Sequence, residues 1–165
     1  MVMGETLERS SVARPLGPEH DGLVTLYERA GGFDAILALC RRWHELCSAD
    51  PLAGHPFEHI TLPHHDERLG AYLAEALGGP PLYTAGYGDE SFMQRLHAGN
   101  GDHPDLYDAC LAWFDQALVD VGIAAPAAGE ISAYFRAATA AMGAYHDSID
   151  QVPDGLPMNH AVSGA

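Results

Sequence analysis

The stretch Phe92–Gly101 reads FMQRLHAGNG, the pattern of one short amphipathic helix that ends at two glycines. Its residues Phe92, Met93, Leu96 and His97 fall on one helical face, which places an imidazole among apolar side chains. A polar ring buried there needs a partner. A backbone carbonyl is one suitable partner and a metal ion is another, since neutral imidazole is a common metal ligand.

The chain has 165 residues, 47% of them hydrophobic, which is enough for one globular domain with its own core. Its formal net charge is −15, with only eight Lys and Arg residues. This charge argues against nucleic acid and anionic membranes as partners, because binding to phosphates requires basic side chains. It also favours solubility.

The three cysteines, Cys40, Cys47 and Cys110, contain no CxxC pair. On one helix, Cys40 and Cys47 would lie roughly 10.5 Å apart along the axis, too far for a disulfide, which needs Cα atoms within about 7 Å. We therefore expect free thiols in a reducing compartment. The N-terminus shows no apolar signal segment, and no apolar run approaches the ~18 residues of a membrane span. We expect a cytoplasmic protein.

The chain divides into an expected flexible arm over residues 1–20, one domain over 21–150 and a flexible tail over 151–165. Helical periodicity and glycine or proline stops predict helices over about 23–29, 33–48, 64–77, 104–121 and 127–147. A loop that contains Gly86 and Gly88 should lead into the short helix of His97. No alternating strand pattern and no internal repeat is present, so the predicted fold class is all-α.

Three histidines, His44, His65 and His97, fall on helix faces that the periodicity places inside the protein. An uncompensated buried polar ring costs on the order of 1–3 kcal/mol, so the three rings either meet one another and water or surround a ligand. The apolar residues expected near them indicate a large flat apolar ligand with a metal centre. These residues are Phe57, Leu69, Leu73, Met93 and Leu96.

Two segments carry a resemblance to a known family. The segment 49–52 reads ADPL, and the segment 76–84 reads ALGGPPLYT and is followed by His97. Together with the glycine pair at 31–32, they make the chain resemble the truncated haemoglobins over about residues 23–147, and most of all the second group of that family. The resemblance implies a globin-like, two-over-two helical sandwich around haem b, with the iron bound to His97.

The resemblance also implies roles for other side chains. His44 and His65 occupy the distal positions, where they would act on the iron-bound ligand. Phe57 matches the phenylalanine that packs on haem, with an ordinary loop anchor as the alternative role. Arg68, Tyr83 and Arg95 are candidates for bonds to the haem propionates, because Arg and Tyr suit carboxylates, and a solvated surface position is the alternative for them. The full set expected to contact the cofactor is Phe57, Arg68, Leu69, Leu73, Tyr83, Met93, Arg95, Leu96, Cys110 and Trp113.

The chain departs from the family pattern at the residues that tune ligand chemistry. His44, which follows Trp43, stands where the family usually has a tyrosine after an aromatic residue. Cys110 replaces the usual tryptophan of the second group, with Trp113 one turn later, and Asn100 replaces a common phenylalanine. We expect Cys110 to line the distal side of the pocket.

The function expected from this resemblance is binding of a small ligand such as O2, NO or peroxide at the haem iron, with activation of that ligand as a further role. A carrier or sensor, for example in oxygen transport, needs only reversible binding. A peroxidase-like or dioxygenase-like enzyme would use the distal imidazoles as proton donors. A non-haem helical bundle that binds a metal through histidine and carboxylate is the alternative outside the family. The sequence does not identify an electron donor or an oligomeric state.

Overall fold

The computed structural model describes residues 23–162, so the expected arm over residues 1–20 lies outside the described residues. Within 23–162 the chain forms seven α-helices, three short 3-10 helices and no strand. The α-helices are α1 (Leu26–Ala30), α2 (Gly32–Ala49), α3 (His65–Ala76), α4 (Leu82–Gly86), α5 (Glu90–His97), α6 (Pro104–Asp120) and α7 (Ala127–Met142). The predicted all-α fold class is confirmed. None of the described helices is both long and apolar enough to cross a membrane.

Helix α2 lies at the centre of the fold. It packs against α3 on one side and α6 on the other, while α6 packs on α7 and α1 contacts α2 and α7. Its buried residues, Ile36, Leu39, Cys40, Trp43 and Cys47, recur every three or four positions and form one continuous stripe. The apolar stripe of α2 thus joins the α2/α3 pair to the α6/α7 pair, with the core between them.

The glycine pair after α3 has two separate structural causes. Gly78 has a φ of +93°, in the left-handed region that favours glycine. At Gly79 a Cβ atom would lie 2.6 Å from the carbonyl oxygen of Ala74 and 2.7 Å from the Tyr27 ring. This turn therefore needs glycine at both positions, the first for its backbone conformation and the second for the close approach of α1.

Helix α4 was not predicted, because the sequence around Gly86 reads as a loop. Its first amides are bonded by a residue of another helix: Glu75 Oε2 in α3 accepts from the backbone N–H groups of Tyr83, at 3.0 Å, and Thr84, at 2.9 Å. The Thr84 hydroxyl donates to Glu75 Oε1 at 2.7 Å. A buried carboxylate from another helix supplies the cap, and local periodicity does not reveal such a contact.

Two helix ends differ from the predicted ones. Helix α1 begins at Leu26 because Thr25 and Glu28 form a reciprocal capping box. Helix α7 ends at Met142, and a 3-10 turn over Gly143–Tyr145 follows it, whereas the predicted helix continues to residue 147. Glycine has a low helix propensity, and tighter 3-10 turns are frequent at the ends of α-helices.

The C-terminal segment 151–162, for which the composition predicts a flexible tail, forms hydrogen bonds with the rest of the domain. Val152 is 4% exposed, the backbone N–H of Ala161 donates to the carbonyl of Ala76 at 2.8 Å, and that of Asn159 donates to Glu90 Oε2 at 3.2 Å. These polar partners belong to α3 and α5. The segment packs along the domain because long-range bonds satisfy its backbone, although it lacks helical or strand periodicity.

Candidate functional site

Helix α5 positions His97 at its last residue. The Asp89 carboxylate begins the helix by accepting from the backbone N–H of Phe92 at 2.8 Å, and the helix ends at His97. The His97 Nδ1–H donates to the carbonyl oxygen of Met93 at 2.8 Å. This bond holds the ring and leaves the lone pair of Nε2 available, which is the arrangement that metal-ligating histidines use.

The face of α5 is less buried than its periodicity predicts. Met93 is buried, but Phe92 is 36% exposed and Leu96 is 45% exposed, and His97 is exposed as well. The predicted grouping of these residues on one face is correct, while the predicted burial applies to Met93 alone. An exposed apolar surface beside an imidazole with a free nitrogen suits a flat apolar group that carries a metal.

His44, His65 and Phe57 come together across the gap between α2 and α3. The ring of His44 stacks on Phe57 with centroids 4.6 Å apart and an interplanar angle of 22°. The His65 ring lies edge-on to both, 5.3 Å from His44 and 5.4 Å from Phe57. Sequence analysis placed these three residues near one pocket, and the structure brings them into one ring cluster.

Asp66 is a member of this cluster that sequence analysis did not select. Its Oδ1 atom lies 2.7 Å from His44 Nδ1 and 3.3 Å from His65 Nδ1, so one carboxylate oxygen serves two imidazoles. In sequence, Asp66 stands in the run His64-His65-Asp66-Glu67. The signal that could have revealed Asp66 is its position beside His65 in the first turn of α3. Helix α2, which carries His44, packs against α3.

The environment of His65 disfavours its charged form. Burial is the main cause that lowers the pKa of His65, and the positive charges of His44 and His97 act in the same direction. The hydrogen bond to Asp66 opposes this shift and does not overcome it. His65 is therefore neutral at a pH where an exposed histidine is already partly protonated.

We expect His65 to titrate below the usual histidine pKa of about 6.5, because burial destabilises its cation. The unfolded chain then binds a proton at a higher pH than the folded protein does. Consequently, the free energy of unfolding should fall as pH drops from about 6.5 through the lowered pKa. NMR titration of the ring gives the pKa, and urea unfolding of the protein and of His65→Leu gives the slope. A midpoint at or above 6.5 would contradict this expectation.

Arg68 carries a polar atom that fits an anionic group. Its Nε donates to the carbonyl of Pro63 at 3.2 Å, and its guanidinium carbon lies 5.0 Å from the centroid of the Tyr87 ring. Its Nη1 is buried and has no hydrogen-bond partner among residues 23–162. A carboxylate would satisfy this donor. Together with the free Nε2 of His97 and the apolar surface of α5, this donor fits a haem group and its propionates.

The other predicted contact residues divide into two groups. Leu73 and Tyr83 are buried in the core, with exposures of 1% and 3%, and Leu69 is partly buried against the same core. Arg95 forms an ion pair with Asp154 at 2.5 Å and donates to the Val152 carbonyl at 3.1 Å. The C-terminal segment thus engages the guanidinium that was expected to bind a propionate.

Cys110 lies between α6 and α2. Its backbone carbonyl accepts from Trp43 Nε1 at 2.8 Å, and its thiol meets the thiol of Cys47. This hydrogen bond and burial raise the pKa of Cys47. All three thiols are free, as the spacing predicts. Trp113 Nε1 donates to Asp50 Oδ2 at 3.1 Å, so this indole is engaged by the loop after α2.

The chain is similar to a known protein family in sequence and to solved proteins in structure. A sequence model of the bacterial-like globins matches residues 25–143 of the chain. No curated protein sequence matches the chain.

Solved structures of several haemoglobins are similar to the chain. The haemoglobin of the thermophilic phototrophic bacterium Chloroflexus aurantiacus is 30% identical, over 72% of this chain and 96% of that one, with a TM-score of 0.63. The group II truncated haemoglobin of Bacillus anthracis is 24% identical over 74% and 92% of the two chains, with a TM-score of 0.65. The cold-adapted truncated haemoglobin of Pseudoalteromonas haloplanktis TAC125 is 22% identical over 72% and 96%, with a TM-score of 0.62. The last two show the fold alone, and the predicted truncated-haemoglobin resemblance is confirmed.

Proposed function

Because the chain belongs to the bacterial-like globin family, we propose that it binds haem b through an iron–His97 bond and takes up a small ligand at the iron. O2, NO and peroxide are the ligands that such a site accommodates. The proposed distal residues are His44 and His65. The haem supplies an iron atom that binds and activates the ligand, and the protein supplies the surroundings.

The orientation of His97 is the observation that carries this proposal. A backbone carbonyl commonly accepts a hydrogen bond from one nitrogen of a histidine in a helix bundle, and the carbonyl of Met93 does so for His97 at 2.8 Å. Here the second nitrogen belongs to an exposed ring beside Phe92 and Leu96. Large apolar side chains around a nitrogen lone pair favour a metal-bearing apolar cofactor over water.

Each remaining residue has a proposed role that follows from its contacts. Arg68 would bind a propionate through its unpartnered Nη1. Phe57, already stacked on His44, would pack against the macrocycle. Reversible binding of a ligand requires no more than this pocket, whereas conversion of a ligand requires a group that moves protons. The imidazoles of His44 and His65 are such groups, so both a carrier and an enzyme agree with the site.

The test is the absorption spectrum of the purified protein after addition of haem. We expect a Soret band, spectral changes with CO in the reduced form, and a pyridine haemochrome spectrum of haem b. A protein that remains colourless with stoichiometric haem, while circular dichroism shows it to be helical, would contradict the proposal.

One observation favours the second candidate function, a non-haem metal site. Potential ligand atoms of His44, His65 and Asp66 lie within 4.8 Å of one another, and two histidines with one carboxylate bind iron(II) or zinc in other proteins. Metal analysis of the same preparation distinguishes the two functions. A stoichiometric divalent metal without haem would support the second candidate, and iron in equal amount to haem would exclude it.

A further inference from the structure

We propose that His44 accepts a proton from the ligand while His65 accepts a hydrogen bond from it, and that the ligand which this pair assists is hydrogen peroxide, which must lose a proton as it binds. This inference deepens the haem-binding function proposed above and rests on it. It follows from the way Asp66 holds the two rings.

The position of the ring protons follows from the chemistry of Asp66. An ionised carboxylate has no proton to donate and can only accept hydrogen bonds. Its Oδ1 contacts the Nδ1 atoms of both His44, at 2.7 Å, and His65, at 3.3 Å. Each Nδ1 must therefore carry a hydrogen. In a neutral imidazole the other nitrogen, Nε2, then carries a lone pair and no hydrogen.

This tautomer decides which ligands the pair can assist. A neutral ring with its hydrogen on Nδ1 cannot donate from Nε2 to a bound O2 molecule. It can accept a proton there, and Nε2 of neither His44 nor His65 has a hydrogen-bond partner within residues 23–162. The expected role of the distal histidines as proton donors thus requires the imidazolium form. Their role as acceptors requires the neutral ring with its hydrogen on Nδ1, which is the tautomer that the bonds to Asp66 favour.

The proton step is a simple acid–base transfer. In a proton transfer from hydrogen peroxide, one O–H bond would break, its electron pair would stay on oxygen, and the proton would form an N–H bond at His44 Nε2. The resulting imidazolium faces the Asp66 carboxylate, which strengthens the existing hydrogen bond into a charge-assisted one. No oxidation or reduction takes place in this step.

His44 is the ring that Asp66 assists more strongly. Its Nδ1 lies 0.6 Å closer to Oδ1 than the Nδ1 of His65 does, so the carboxylate fixes this ring and the direction of its Nε2 lone pair more firmly. Burial lowers the pKa of His65, which keeps that ring neutral beside the first. His44 is accordingly the first proton acceptor, and His65 remains a hydrogen-bond acceptor that orients the ligand.

A route for the proton to solvent lies on the outer side of α2 and α3. His44 and Asp66 both line an open cleft of about 360 Å³ there, together with Arg41, Glu45 and Ser48. Asp66, which accepts a hydrogen bond from His44 Nδ1, lines this cleft. When His44 Nε2 takes up a proton, Nδ1 can therefore release its own proton toward the cleft. The two nitrogens of His44 thus connect the ligand side of the ring with water.

The tautomer is measured first, by 15N NMR of the histidine rings in the haem-loaded, reduced protein with CO bound. We expect His44 and His65 to show a protonated Nδ1 and an unprotonated Nε2 at pH 7. Asp66→Ala should move hydrogen to Nε2, whereas Glu67→Ala, which removes the next carboxylate along α3, should leave both rings unchanged. A protonated Nε2 on both neutral rings of the unmutated protein would overturn the proposal.

Ligand association is measured next, with hydrogen cyanide as a probe that must lose a proton and does no redox chemistry here. In the ferric protein, His44→Leu should slow cyanide association by about 10²–10⁴-fold, the usual contribution of a general base. Asp66→Ala should slow it by about 10–100-fold, as loss of an outer-shell partner does. Hydrogen peroxide should show the same order of variants in stopped-flow mixing.

Controls separate this inference from haem binding itself. CO carries no proton, so its association with the reduced protein should be nearly unchanged in His44→Leu, which also shows that the variant is folded and loaded. Equal cyanide rates in the unmutated protein, Asp66→Ala and Glu67→Ala would overturn the inference while leaving haem binding intact. Failure to bind haem would remove the proposed function and the peroxide assignment together, and 15N NMR of the haem-free protein would still decide the role of Asp66.

Discussion

Replacement of His97 by glycine should abolish stable haem binding by this protein and leave its helices in place. The ring bonds to the protein through Nδ1 alone, to the carbonyl of Met93, and it is exposed, so the fold loses little with it. Loss of a residue that only bonds to a metal ligand lowers metal affinity by about 10–100-fold. Haem affinity should fall by more than this in His97→Gly, because the proposed iron ligand itself is removed. Transfer of haem to apomyoglobin measures the loss.

Imidazole in solution makes this experiment specific. Added imidazole should enter the space of the missing side chain in His97→Gly and restore the Soret band, which a merely misfolded variant would not allow. The matched control is His103→Ala, which removes another exposed ring, one that is hydrogen-bonded to the backbone oxygen of Asn100 at 2.7 Å. Normal haem retention by His97→Gly would show that another residue binds the iron, and His44 and His65 would be the next to test.

Replacement of Glu75 by alanine should produce the largest loss of stability among changes of a single polar residue. The carboxylate is 6% exposed and accepts three hydrogen bonds, two from backbone N–H groups of Tyr83 and Thr84 and one from the Thr84 hydroxyl. Its removal leaves the amide donors of Tyr83, which is buried, and of Thr84 without their carboxylate partner. We expect the free energy of unfolding to fall by about 3 kcal/mol or more, measured by urea unfolding.

Glu67→Ala provides the control for this change in the same helix. Glu67 is paired with Arg41 at 3.1 Å, and both side chains are exposed by more than a third, so the loss should stay below about 1 kcal/mol. A loss of less than 1 kcal/mol for Glu75→Ala would mean that the turn after α3 relaxes and that water replaces the carboxylate. Because this turn joins the helix of His65 to that of His97, a large loss should also weaken haem retention.

The class of fold could be predicted from the sequence, which also singles out His97 as the expected iron ligand. Helical periodicity predicts helices near the positions of α2, α3, α6 and α7, because each of them buries one continuous apolar stripe. The glycine pair at 78–79 predicts the end of α3 correctly. The structural reason is that a left-handed backbone at Gly78 and a close approach of Tyr27 at Gly79 each exclude other residues. Periodicity also placed His44 and His65 on faces that meet.

Contacts between residues far apart in the chain were decided by the tertiary structure alone. Glu75 caps α4, Asp154 pairs with Arg95, and backbone N–H groups of segment 151–162 donate to partners on α3 and α5. In each case a charged or backbone group bonds to a partner that its own neighbours in sequence do not specify. The same holds for Asp66: its sequence position is next to His65, but only the packing of α3 against α2 puts its oxygen 2.7 Å from His44. The proton positions of the candidate site therefore depend on a distance between two helices, which no pattern within either helix contains.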